Sequence, residues 1–177
     1  MSHWVVMSVL NFVRDTFGYY NQQKNKIYKP RKEINFTTLK IAVYGIGAIG
    51  GVVANDLKQL GFRVYGWSRT QKQIPGINCF IGKDKFKYLL KSCDIHICLL
   101  PLTIETNNIF NNFSFKMMKH GSCFINAGRG EQVDEEHLIE NCKSGQVSSA
   151  ILDVYRKEPL SKKSELWKQE NIMIWPH

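Results

Sequence analysis

The chain has 177 residues, 44% hydrophobic and 22% charged, a usage that excludes global disorder and gives a single domain enough apolar mass for a core. Its 24 Lys+Arg against 15 Asp+Glu give a formal charge of +9, which keeps open a basic surface for nucleic acid, anionic lipid or a phosphorylated small molecule. The excess is uneven: residues 1–40 carry seven Lys/Arg against two Asp/Glu, net +5, and residues 41–177 carry seventeen against thirteen, net +4.

Val5, Val6, Val9, Leu10, Val13 and Phe17 recur at three- and four-residue steps, which predicts a helix over residues 1–24 with Ser2 as its candidate cap. Its broad apolar face needs a cover, either the body of the domain or a second copy. Residues 25–38 read as a basic surface linker holding Lys26, Lys29, Pro30, Arg31 and Lys32. From residue 39 to 177 the rhythm changes to alternating strands and helices. Strands are predicted at Leu39–Tyr44, Phe62–Trp67, Cys79–Ile81, Ile95–Leu100, Ser122–Asn126, Val147–Asp153 and Ile172–Trp175. Helices are predicted at Ala48–Leu60, Lys85–Lys91, Glu105–Phe110, Phe115–Lys119 and Glu135–Lys143, the last with Asp134 as N-cap and Gly145 beyond its end. The apolar runs are continuous rather than alternating, as in parallel strands covered on both faces. The fold class is therefore α/β, an open, doubly wound parallel sheet with right-handed crossovers.

Five cysteines, with no C-x-x-C pair and no zinc spacing, predict no metal site. Cys98 lies inside an apolar run, and buried free thiols fit a reducing cytoplasm. No apolar run approaches the roughly 20 residues of a membrane span, and Met1–Val13 lacks the basic start and small-residue cleavage site of a signal peptide. No membrane partner is expected.

Gly45-Ile46-Gly47-Ala48-Ile49-Gly50 is a full G-x-G-x-x-G between a predicted strand and a predicted helix. The first glycine allows the tight turn, the second lets a pyrophosphate approach the backbone, and the third lets the helix pack close to the sheet. The helix N-terminus offers free N–H groups to the phosphates. A dinucleotide site is the reading this context supports; a glycine-rich turn that binds nothing is the bland one. At the end of the second strand, Trp67-Ser68-Arg69 carries no carboxylate for a ribose 2′-hydroxyl, and Lys72 follows. Arg can hold a 2′-phosphate by a charge-assisted fork, which points to NADP over NAD. The remaining candidates lie at later strand ends: Leu100-Pro101, Asn126–Gly130 with Arg129, Asp153, Glu158 and His177. An Arg can clamp a carboxylate at two points, and a carboxylate beside a His raises its proton affinity. Taken singly, Arg129 reads equally as a loop charge and Glu158 as a turn residue.

These motifs, in this order, resemble the cofactor-binding domain of the D-isomer-specific 2-hydroxyacid dehydrogenases, and within it the glyoxylate/hydroxypyruvate reductase A branch. The likeness runs over essentially the whole chain and includes Leu152-Asp153-Val154-Tyr155, Glu158-Pro159-Leu160, Leu166-Trp167 and Pro176-His177. It implies a Rossmann-type domain at residues 39–177, preceded by a helix of the kind that crosses between the family's two domains. It implies Arg129 as the substrate-carboxylate arginine, His177 as the proton donor to the carbonyl oxygen, and Glu158 as its partner. Cofactor contacts fall to Gly45, Gly47, Ala48, Ile49, Gly50, Trp67, Ser68, Arg69, Leu100, Pro101, Ala127, Gly128 and Asp153. Asp153 holds the nicotinamide carboxamide, NADP(H) is preferred and NAD(H) is the second choice. Gly128 stands where many members carry Ala or Ser, and Trp175 where many carry Thr.

The resemblance also implies a small 2-oxo acid as substrate and a homodimer formed through the cofactor domain, with Val5, Val9 and Val13 as one candidate pairing face. Family members have a second domain, largely absent from these 177 residues. A weakened or inactive reductase is therefore expected, with a non-catalytic dinucleotide-binding module or remnant acting through a partner chain as the alternative. Nucleic-acid binding is set aside, because the basic residues lie in a linker and no nucleic-acid fold signature is present.

Overall fold

The apolar runs become seven strands: β1 (Lys40–Tyr44), β2 (Arg63–Trp67), β3 (Asn78–Phe80), β4 (Ile95–Cys98), β5 (Ser122–Asn126), β6 (Val147–Leu152) and β7 (Ile172–Ile174). The computed structural model describes residues 1–31 and 34–177, so Lys32 of the basic linker lies outside the described residues. All strand pairs are parallel, in the order β3-β2-β1-β4-β5-β6-β7. The chain winds outward from β1 in one direction and from β4 in the other, so the crevice between those two strands is the switch point of a doubly wound sheet. Burial follows position. Every residue of β4 and β5 is buried, whereas β2, nearer an edge, begins at an exposed Arg63.

Among the described residues there are six α-helices: α1 (Ser2–Val13), α2 (Thr16–Lys24), α3 (Ala48–Gln59), α4 (Lys83–Ser92), α5 (Asn112–Met117) and α6 (Glu135–Lys143), of which α2 buries no residue and the others flank the sheet. On one face, Val5, Val9 and Val13 of α1 pack with Val53, Ala54 and Leu57 of α3 over Ile41, Ile125 and Ile151. The three valines are at most 7% exposed, so the domain itself covers them and they are not a pairing face. The other face carries α4, α5 and α6 over an aromatic cluster. Phe110 lies 4.8 Å from Phe124 and 5.3 Å from Tyr44, ring centre to ring centre. Beneath it the Tyr44 hydroxyl meets His96 Nδ1 at 3.1 Å. Both side chains are fully buried, and burial pushes the imidazole down to about 3, so it stays neutral.

Several boundaries depart from the periodicity. The N-terminal helix breaks at Asp15, which adopts φ 49°, accepts the Gly18 N–H as the cap of α2 and pairs with Arg31. Met1, not Ser2, is the N-cap of α1; the Ser2 hydroxyl bonds Asp56 on α3 instead. Glu105–Phe110 is not a helix. The Thr106 hydroxyl donates to the Pro101 carbonyl at 2.7 Å and accepts the Thr103 N–H at 2.8 Å, which holds this loop in turns. Phe110 then bridges Val133 in parallel fashion. The next helix starts earlier than Phe115, because Asn111 and Ser114 form a reciprocal capping box. Glu135–Lys143 is a helix as predicted, with Asp134 accepting the His137 N–H and Gly145 at φ 78° beyond its end. Cys93, Cys98, Cys123 and Cys142 are buried free thiols and Cys79 is half-buried. No helix among the described residues is long and apolar enough to cross a membrane.

Candidate active site

A parallel sheet brings the C-terminal ends of all its strands to one edge, and every predicted site residue except those on α3 lies at or after such an end. The turn after β1 shows why its glycines are separate requirements. Gly45 has φ 103°, and a Cβ there would stand 2.5 Å from the Leu99 carbonyl oxygen at the end of β4. Gly50 lies in the first turn of α3, where a Cβ would be 2.0 Å from the Gly45 carbonyl oxygen. Gly47 differs: a Cβ there would meet nothing within 4 Å. That open space faces the start of α3, which has no side-chain cap and whose first helical bond is Gly51 N–H to Gly47 O at 2.8 Å. The N–H groups of Ala48, Ile49 and Gly50 therefore lack helical acceptors and sit at the positive end of the helix. Such a cradle fits a pyrophosphate.

The turn is tied to β2 by the Gly45 N–H, which donates to the Trp67 carbonyl at 2.8 Å. The Trp67 indole N–H is fixed on the Gly82 carbonyl at 2.9 Å. Ser68 is buried, its hydroxyl bonded to the Thr70 carbonyl at 2.8 Å, whereas Arg69 and Lys72 are exposed. A cleft of about 550 Å³ runs from the glycine turn between two walls. Leu99–Leu102 after β4 form one wall and Ala127–Arg129 after β5 form the other.

The β5 loop is held from within. The Asn126 side chain accepts the Gly128 N–H and donates to the Arg129 carbonyl, both at 3.1 Å. The Arg129 guanidinium leans back on the Gly128 carbonyl at 2.7 Å. Farther along the edge, His177 Nδ1 meets Glu158 Oε2 at 2.7 Å, and Glu158 Oε1 accepts the Tyr155 N–H at 3.0 Å. The hydrogen bond with His177 holds the Glu158 carboxyl below the usual carboxylate range, and Arg129 adds to the effect. Asp153, at the end of β6, is raised by burial and by Glu158, with His177 opposing. The structure thus joins Glu158 and His177 directly and sets Arg129 and Asp153 within their electrostatic reach.

Two residues organise the site without being candidate site residues in the sequence, Gln132 and Tyr155, the latter present there only as part of the Leu152–Tyr155 motif. Gln132 is fully buried behind Arg129. Tyr155 is buried with its hydroxyl between the Leu152 and Trp175 carbonyls, at 2.9 and 2.8 Å, and it accepts the Trp175 N–H at 3.0 Å. That oxygen locks the ends of β6 and β7, and so the Pro176-His177 segment, into place. A polar residue that acts by buried hydrogen bonds has no periodicity to announce it.

Comparison with known proteins agrees with this geometry. Residues 6–177 match the family model described as D-isomer specific 2-hydroxyacid dehydrogenase, NAD binding domain. The chain is 34% identical over all 177 residues to a glyoxylate/hydroxypyruvate reductase A of Yersinia enterocolitica, covering 56% of that protein. A D-isomer specific 2-hydroxyacid dehydrogenase from Xanthobacter autotrophicus Py2, solved with NADPH and MES, superposes with a TM-score of 0.97 at 34% identity, over 100% of this chain and 56% of that one. An NADPH-dependent glyoxylate/hydroxypyruvate reductase from Sinorhizobium meliloti, solved with NADP and sulfate, gives 0.96 at 32% identity, over 100% of this chain and 57% of that one. The chain thus spans a little over half the length of these relatives. The seven-stranded parallel sheet, the glycine cradle at its switch point and the match over residues 6–177 converge: the chain belongs to the NAD binding domain family of the D-isomer specific 2-hydroxyacid dehydrogenases.

Proposed function

We propose that this chain binds NADP(H) in the cleft beside Gly47 and serves the reduction of a small 2-oxo acid of the glyoxylate or hydroxypyruvate kind. One observation carries the reading: a His–carboxylate pair, His177 and Glu158 at 2.7 Å, stands on the same sheet edge as Arg129 and the pyrophosphate-shaped turn. The chemistry that a nicotinamide dinucleotide held there would supply is a hydride for the substrate's carbonyl carbon. The chain's own residues do the rest. Arg129 turns its guanidinium toward the substrate carboxylate and holds it at two points. Glu158 occupies His177 Nδ1, which fixes the ring and leaves Nε2 to give the carbonyl oxygen its proton. Asp153 would receive the carboxamide N–H, and Arg69 would receive the 2′-phosphate, with Ser68 joining it once its hydroxyl turns from the Thr70 carbonyl. Pairing of two copies through the cofactor domain belongs to this reading, on a surface other than the buried Val5, Val9 and Val13.

A second reading, a dinucleotide-binding module that acts through a partner chain, draws on the openness of the pair. The His177 and Glu158 side chains are 51% and 36% exposed, whereas hydride transfer needs water kept out. Titration with NADPH and with NADH, followed by addition of glyoxylate, tests both. NADPH binding tighter than NADH with turnover supports the reductase. Binding without turnover supports the module, and binding of neither overturns both.

A further inference from the structure

Gln132 closes the short 3-10 turn Gly130–Gln132, and its side chain is fully buried. A buried primary amide brings donors and an acceptor that must find partners. Here the partners come from both walls of the cleft. Oε1 accepts the Arg129 N–H at 2.8 Å and the Cys98 thiol at 3.2 Å, while Nε2 donates to the Leu100 carbonyl at 2.7 Å. The backbone allows the amide one orientation, because an N–H can only donate and a carbonyl can only accept. Burial pushes the Cys98 thiol up to about 12, so it keeps the proton it donates.

The sheet ladder joins the two walls no farther than the Ala127 N–H on the Cys98 carbonyl at 3.1 Å. Past that point, among the described residues, the bridge between Leu100 and Arg129 is this one side chain. Gly128 is its necessary neighbour. A Cβ at position 128 would stand 2.4 Å from Gln132 Oε1 and 3.0 Å from the Leu100 carbonyl oxygen.

We propose that Gln132 is a positioning residue that sets the spacing between the cofactor wall at Leu100 and the Arg129 wall, with Gly128 leaving the space its amide needs. This rests on the reading of the cleft given under Proposed function. The test uses the full chain and the variants Gln132→Met, Gln132→Ala, Gly128→Ala and Gly128→Ala/Gln132→Ala. Three quantities are followed: the melting midpoint, amide exchange at Arg129, and NADPH affinity. In Gln132→Met, Arg129 exchange is expected to rise and NADPH affinity to fall, each by about tenfold, the scale of one lost organising hydrogen bond. Exchange at Ile97 and Ile125 in the central strands keeps its wild-type rate. Adding Gly128→Ala to Gln132→Ala costs much less than adding it to the wild type, because the oxygen it collides with is gone. A lower melting midpoint with wild-type Arg129 exchange and NADPH affinity would make Gln132 a core filler and overturn the proposal. So would strict additivity of the two positions. If the wild type itself binds no NADPH, the cofactor reading falls, while Arg129 exchange and additivity in the melting midpoint still decide the role of Gln132.

Discussion

Gly45, Gly47 and Gly50 are indistinguishable letters in the motif, yet the structure treats a side chain differently at each position. At Gly45 the backbone conformation and the Leu99 carbonyl both exclude a Cβ. At Gly50 the exclusion is the turn's own carbonyl, and at Gly47 nothing in the protein excludes it. Gly45→Ala is therefore expected to lower the unfolding free energy by about 2 kcal/mol or more. Gly47→Ala keeps wild-type stability and weakens NADPH binding by about tenfold or more, since the added methyl occupies the phosphates' approach. Denaturant unfolding beside an NADPH titration separates the two. Equal stability losses at positions 45 and 47 would refute the assignment of the open space to the cofactor.

Elements were legible in the sequence where local chemistry and tertiary packing agree. The glycine turn sits between β1 and α3 as its spacing dictates, and α6 runs from its Asp134 cap to the glycine beyond its end. Arg129, Glu158 and His177 are legible as charged residues at or after strand ends, but the pairing of Glu158 with His177 and the nearness of Arg129 are properties of the parallel sheet and not of any window of sequence. Legibility failed where side chains compete with backbone patterning. Thr103 and Thr106 hold a loop whose composition reads as helix, and the Asn111 cap moved the start of α5. For α1, periodicity reveals an apolar face but not what covers it. Because the domain covers it, Val9→Ala is expected to cost about 2 kcal/mol of unfolding free energy in denaturant titration. A free pairing face would instead leave the monomer's stability unchanged and alter only its association.

At the scale of the whole molecule, the sheet centre carries a titratable group that must stay neutral. Burial lowers the His96 imidazole from its ordinary value of 6.5 to about 3, with nearby Asp94 opposing. A depressed folded value means that the unfolded chain takes up the proton first. The neutral form's contribution is fully present above about pH 6.5 and is lost as pH falls toward 3, by about 1.4 kcal/mol per pH unit in between. Stability measured by denaturant from pH 7 to pH 4 is expected to fall with that added slope, and His96→Asn to flatten it. A variant with the wild-type slope would show that other groups govern acid unfolding.

Trp4 and Trp175 meet edge to face with ring centres 6.2 Å apart, immediately before Pro176-His177, and Trp67 ends β2 beside the proposed ribose site. Three of the chain's four indoles thus mark two places on the sheet, Trp67 at the end of β2 and the Trp4–Trp175 pair just after β7. Indole emission overlaps the absorption of reduced nicotinamide, so excitation energy can pass from these rings to a bound dinucleotide. The chain carries its own optical ruler: under the proposed binding mode, quenching of Trp67 would register the adenosine end, quenching of Trp175 would register the His177 end, and single Trp→Phe replacements would tell them apart without an attached dye.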